Sequence, residues 1–176
     1  MNSTYKNGII TGTAIGLFTI SFFSFVNWLN TKYSFGMQTD SIRGISGLIT
    51  VLILAIGIYL SMKSVKIKQQ GMLTYGQAIR AGITVAVITA LITALFSFIY
   101  CTMINPGYQE YMVNEAKKAM LARGESEQDI AQHLISVQRE FSTTAQVLMA
   151  LIAQSVVGTI ISLIMALFIK TKNKTS

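Results

Sequence analysis

The stretch AGITVAVITALITALFSFIYCTMINPGYQ (Ala81–Gln109) contains no Asp, Glu, Lys, Arg or His. A helix needs about 20 mainly apolar residues to cross the hydrocarbon core of a bilayer, and this run supplies them. Open strands would leave backbone groups unpaired in lipid, so the crossing element has to be a helix. Three further stretches lack charge in the same way: Asn7–Thr31, Gly44–Met62 and Phe141–Ile169. The pattern predicts four spans, near residues 8–29, 44–62, 80–103 and 145–169. The expected fold is all-α, a four-transmembrane-helix bundle in a single membrane domain over residues 1–176.

Composition agrees. Apolar residues make up 52% of the chain and charged residues 12%, about half the charged share of a soluble domain. The net charge is +7. Nucleic acid is one reading of a basic balance. Here the basic residues flank apolar blocks, where the preference of Lys and Arg for cytoplasmic loops accounts for them, and no nucleic-acid partner is expected. The lone cysteine, Cys101, excludes an internal disulfide and any zinc motif built on cysteines. No signal peptide is expected, because the uncharged run after Lys6 is too long and no small-x-small site follows it.

With four spans, the N-terminus, the 63–80 loop and the C-terminus share one side. That side carries Lys6, Lys63, Lys66, Lys68, Arg80, Lys170, Lys172 and Lys174 and no acid. The other side carries Lys32, Arg43, Lys117, Lys118, Arg123 and Arg139 with every carboxylate. The basic residues of the first side sit in short loops close to span ends, where they weigh most. Both termini are therefore expected in the cytoplasm and residues 104–142 outside it. Trp28, Tyr33 and Phe35, and Tyr59 and Tyr100, fall near span ends, where amphipathic rings favour the headgroup level.

Small residues recur at four-residue steps. The third span has Ala78, Gly82, Ala86, Ala90 and Ala94, the fourth Ala150, Gly158, Ser162 and Ala166 with Gln154 between them, and the first Gly8, Gly12 and Gly16. Residues four apart share a helix face, and small ones let helices approach closely in lipid. The third and fourth spans are expected to pack along Gly82, Ala86, Ala90, Ala94, Gly158 and Ser162, with Gln154 in an interhelical hydrogen bond. No ionisable residue lies within a span, although proton relays and ion-coupling sites usually need one. The hydroxyls of Thr84, Thr89, Thr93, Ser97, Ser155 and Thr159 are read as bonded to backbone or to neighbouring helices rather than as a pore lining.

Two polar connections remain. In the inner one, Thr74 and Gln77 match a capping box, and Gly71 suits the turn before it. Lys63, Lys66, Lys68 and Arg80 are candidates for contact with anionic lipid headgroups. In the outer one, Asn105 and Pro106 predict an N-cap followed by proline at the first helical position. An apolar face of Tyr108, Tyr111, Met112, Ala116, Ala119 and Met120 follows. Within ARGESEQDIAQHL (Ala122–Leu134), Gly124 should end that helix and Ser126 start the next, whose stripe is Ile130, Leu134, Val137 and Phe141. The expectation is an extracytoplasmic amphipathic helical hairpin over 105–142. The same stretch holds the only histidine, His133, four residues after Asp129. Asp129 and His133 could share a metal, with Glu125 and Glu140 near, but two ligands do not define a site and no HExxH or Cys cluster accompanies them. A polar flank of a surface helix is the favoured reading, so no metal, cofactor or catalytic residue is expected.

Four features occur in fixed order: LTYGQAIRAGITVAVITALITALFSFIY (Leu73–Tyr100), NPGY (Asn105–Tyr108), GESEQDI (Gly124–Ile130) and the glycine-marked fourth span with its basic tail. With them the chain resembles a bacterial membrane-protein family called domain of unknown function 4199. The resemblance implies the same four-span architecture in a bacterial cytoplasmic membrane. It implies no activity and transfers no site residue. The expected role is a non-catalytic membrane component or interaction protein. Its candidate partners are membrane lipids and either a second copy of the chain or another membrane protein, met through the small-residue faces or the 105–142 hairpin. The alternatives are a small oligomeric transporter or channel subunit, and a membrane-anchored metal-binding protein using Asp129 and His133.

Overall fold

A computed structural model describes residues 3–33 and 39–171. Among them are six α-helices and no strand: α1 (Ser3–Tyr33), α2 (Thr39–Lys68), α3 (Tyr75–Ile99), α4 (Tyr108–Ala122), α5 (Glu127–Glu140) and α6 (Thr143–Ile169). A π-helical turn, Tyr100–Ile104, follows α3 directly. Four segments are long and apolar enough to cross a membrane: Ser3–Leu29, Ile42–Lys68, Tyr75–Ile104 and Thr143–Ile169. The first three run past charged residues that bound the charge-free stretches (Lys6, Arg43 with Lys63, and Arg80), whereas the fourth lies within Phe141–Ile169. The helical backbone satisfies its own hydrogen bonds whether or not a charged side chain leaves the apolar layer, so a charge marks the hydrocarbon edge and not the helix end. Phe35, Lys172 and Lys174 lie outside the described residues.

The chain forms two compact units, Met1–Thr93 with Leu151–Ser176, and Ala94–Ala150. Four helices meet in the first. Its core is Ile15 of α1, Leu54, Ile58 and Met62 of α2, Ala78, Ala81 and Val85 of α3 and Ala166 of α6, with Leu73 from the preceding turn. Glycines set the approach of these helices. A Cβ on Gly8 would lie 2.9 Å from Ile88 Cβ, and one on Gly12 would lie 2.8 Å from Ile92 Cβ, so α1 meets α3 along that edge. Gly57 of α2 gives the same room to Thr11 of α1, whose Cβ would be 2.9 Å from an added methyl. Such backbone approaches maximise dispersion contact, which has to hold helices together where lipid supplies no hydrophobic drive between them.

Polar bonds stitch one end of this unit. The capping box forms in both directions: the Thr74 backbone N–H donates to Gln77 Oε1 at 3.0 Å, and the Gln77 N–H to Thr74 Oγ1 at 3.3 Å. Gln70 and Gly71 take positive φ, 53° and 87°, in the turn that precedes it. Thr171 closes on that turn, accepting from the Leu73 N–H at 2.9 Å and donating to the Gly71 carbonyl at 2.7 Å through one hydroxyl. Lys66 donates to the Ile169 carbonyl at 2.8 Å, which supplies a cation and a donor to the exposed carbonyls at the end of α6.

In the second unit α4 and α5 pack on each other. Met112 and Met120 of α4, Ile130 of α5 and Phe141 after it are buried. Tyr108 stands edge-on between Tyr100 and Phe141, at ring separations of 5.7 and 6.1 Å. Gln109 donates to the Gln138 carbonyl at 2.8 Å, tying the start of α4 to the end of α5.

Candidate functional site

The busiest chemistry of the sequence lies at the junction of α4 and α5. Gly124 takes φ +72°, the left-handed region open to glycine at a helix end. The Gly124 N–H donates to the Leu121 carbonyl at 3.0 Å and the Glu125 N–H to the Met120 carbonyl at 3.2 Å, the paired bonds of a Schellman motif. Ser126 then caps α5, its Oγ accepting from the Asp129 N–H at 3.2 Å. The Ser126 hydroxyl donates in turn to Asp129 Oδ2 at 2.6 Å. A Glu or Gln at this position reaches back to the cap's own N–H. The shorter aspartate takes the hydroxyl instead.

The acids around His133 are therefore largely engaged. Glu125 pairs with Arg123 Nε at 2.9 Å, and Asp129 holds Ser126. Glu125, Asp129, Gln132, His133 and Ser136 line an open recess, with the Ser136 hydroxyl turned back to the His133 carbonyl at 2.6 Å. Among the described residues no three His, Cys, Asp or Glu side chains converge as a metal site would need. Glu115 bonds Lys118 at 2.8 Å on the exposed face of α4 and thereby raises the lysine's pKa, first by the hydrogen bond and then by charge.

The start of α4 differs from expectation. Asn105 is not its N-cap: the helix begins at Tyr108, with Gly107 in the capping position and no side-chain cap. The Asn105 amide donates to the Tyr100 hydroxyl at 3.2 Å instead, so its side chain is spent one π-turn back. Proline at position 106 then sits in the connecting turn, and the Tyr108 N–H reaches the Asn105 carbonyl at 3.0 Å.

The small-residue positions fall as follows. An added Cβ on Gly82 would lie 2.6 Å from Ser162 Cβ and 2.7 Å from Met62 Cε, so α3 meets both α6 and α2 there. One on Gly158 would collide with the Ala86 methyl and come within 3.3 Å of Ala86 Cα. Ser162 is fully buried and donates to the Gly158 carbonyl at 2.6 Å. Ala90 and Ala94 are buried. Gln154 is half-buried. The hydroxyls of Thr84, Thr93 and Thr159 bond the carbonyls four residues back, at 2.8, 3.0 and 2.7 Å, while Thr89 reaches across to the Gly8 carbonyl at 3.4 Å.

At the stitched end of the first unit the basic residues divide. Lys66 is occupied by the end of α6, and Lys170 stands 5.7 Å over the Tyr75 ring. Lys63, Lys68 and Arg80 are exposed. The sequence pattern singled out these cations but not Thr171 or the Lys66 bond, since both partners lie about a hundred residues away in the chain.

The family model described as "Protein of unknown function (DUF4199)" matches residues 6–171. No curated protein and no solved structure matches the chain.

Proposed function

The chain belongs to that family of unknown function, and on this premise we propose that it is a non-catalytic, multi-pass component of the bacterial cytoplasmic membrane. Both termini face the cytoplasm in this reading, and α4 and α5 form an extracytoplasmic hairpin that presents an interaction surface. The supporting observation is the pair itself. It is capped at its junction and has a buried seam, yet Leu121 and Ile135 remain 54% and 55% exposed. In this reading these two side chains are where another surface docks. A second copy of the chain and a different membrane protein are the candidate occupants.

A photocrosslinking residue at Leu121 or Ile135, in the full chain expressed in native membranes, tests this. The expected result is a reproducible adduct from both positions that is absent when the probe sits at the exposed Lys118. Adducts with lipid alone, or none, would remove the interaction role. A transporter or channel function would show instead as solute flux in proteoliposomes.

A further inference from the structure

We infer that the first unit carries a binding site for a phosphate-bearing anion where α1 begins, α2 ends and α3 begins. A recess of about 210 Å³ opens there, and its polar lining is Thr4, Tyr5, Gln69, Gln77, Arg80 and Thr84. Ligand pockets for drug-sized molecules run to roughly 300–1,000 Å³, so this one fits a headgroup or a small anion.

The lining is rich in donors and free of carboxylates. Arg80 is exposed, and among the described residues no acid pairs with it. Its planar guanidinium matches two phosphate oxygens at once. Gln77 is held by its carbonyl end, since Oε1 accepts from the Thr74 N–H, which leaves its NH2 group to donate. Tyr5, Thr4 and Gln69 add neutral donors. Thr84 has given its proton to the Arg80 carbonyl and so acts only as an acceptor, suited to a headgroup hydroxyl or a protonated phosphate oxygen. Lys66, which follows Val65 of the lining, is held by the Ile169 carbonyl. Every Asp and Glu except Asp40 lies between residues 104 and 142, so no carboxylate of the first unit's α1, α3 or α6 competes for the arginine.

An anionic phospholipid headgroup and free inorganic phosphate share this chemistry. The lipid source rests on the membrane reading above, and the phosphate source does not.

The test uses the full chain. Thermal unfolding is followed in phosphatidylcholine nanodiscs with and without phosphatidylglycerol, and in detergent with inorganic phosphate. At least one anion should raise the midpoint in a saturable way. Arg80→Gln should weaken that apparent affinity by about tenfold or more, as loss of a hydrogen bond to a charged group does. Lys63→Gln, an equal loss of charge outside the recess, should leave it unchanged. Tyr5→Phe should give a smaller loss. Phosphatidylglycerol acting alone identifies a lipid site, and phosphate that saturates and abolishes the lipid effect identifies a soluble ligand. Equal losses in Arg80→Gln and Lys63→Gln would overturn the site in favour of diffuse charge, as would no shift with either anion. If Arg80→Gln misfolds, Arg80→Lys serves: it should weaken binding more than Lys63→Gln, and equality overturns the site. A failed membrane topology with intact phosphate binding would sink the membrane reading and leave the recess standing.

Discussion

A methyl group added at Gly158 would meet the Ala86 methyl and approach Ala86 Cα to 3.3 Å. Backbone cannot rotate away, so the two helices would have to separate. Gly158→Ala should therefore destabilise the protein by about 1–3 kcal/mol, the usual cost of overpacking. Gly82→Ala should behave similarly, because Ser162 Cβ at 2.6 Å is as fixed as its helix, even though Met62 Cε can swing aside. Gly76 is the contrast. Nothing lies within 4 Å of its added Cβ, and Gly76→Ala should raise stability by up to about 0.5–1 kcal/mol through backbone entropy alone. Thermal unfolding in one detergent orders the three: two lowered midpoints and one unchanged or raised. A Gly158→Ala protein as stable as the parent would show that α3 and α6 do not depend on this contact. The small-residue periodicity was visible in the sequence and led to the expectation that the third and fourth spans pack together. Nothing in it pointed to the second neighbour of Gly82, Met62 of α2.

At the scale of elements, the legible features were those whose partners lie within a few residues. Thr74 with Gln77, Gly124 with its Schellman bonds and Ser126 with Asp129 are all closed locally, so residue type and spacing determined them. The start of α4 was misread for the same reason in reverse. Asn105 has the right chemistry for a cap, but a tyrosine one π-turn earlier takes its amide. The π-turn puts Tyr100 in reach, and no residue pattern announced that turn. The α4–α5 junction yields a quantitative expectation. Ser126→Ala removes a cap worth typically about 1 kcal/mol. If that energy holds the junction closed, trypsin should cut after the exposed Arg123 roughly fivefold faster under conditions where opening is at equilibrium. Gly124→Ala should act in the same direction, since a left-handed φ costs an ordinary residue about 1–2 kcal/mol. Unchanged cleavage in both variants would mean that the seam of Met112, Met120, Ile130 and Phe141 holds the pair without its caps.

For the whole molecule the open issue is what surrounds it. The span Thr143–Ile169 has only 11% of its most apolar window buried, against 39% for Tyr75–Ile104. Its uncovered side chains include Ile152, Val156, Ile160, Ile164 and Leu167, all aliphatic. In water such a surface would be a severe aggregation liability; in hydrocarbon it is a matched solvent. Ile160→Lys places a charge near the middle of that face, at a cost of about 2.5–3.5 kcal/mol on insertion scales. It should lower the membrane-integrated fraction, whereas Ile160→Ala should barely alter it. The charge pattern adds direction. In a Cys101→Ala background, an impermeant maleimide applied to intact cells should label Ser126→Cys, while Lys68→Cys should react only after the membrane is opened. In the sequence Lys68 precedes and Ser126 follows the candidate span Tyr75–Ile104, so in the proposed topology one crossing separates them. Labelling of both from the same side would contradict a spanning α3. Labelling of Lys68→Cys alone would keep the crossing and invert it, placing the acidic helical pair in the cytoplasm despite the eight basic residues assigned to the opposite side.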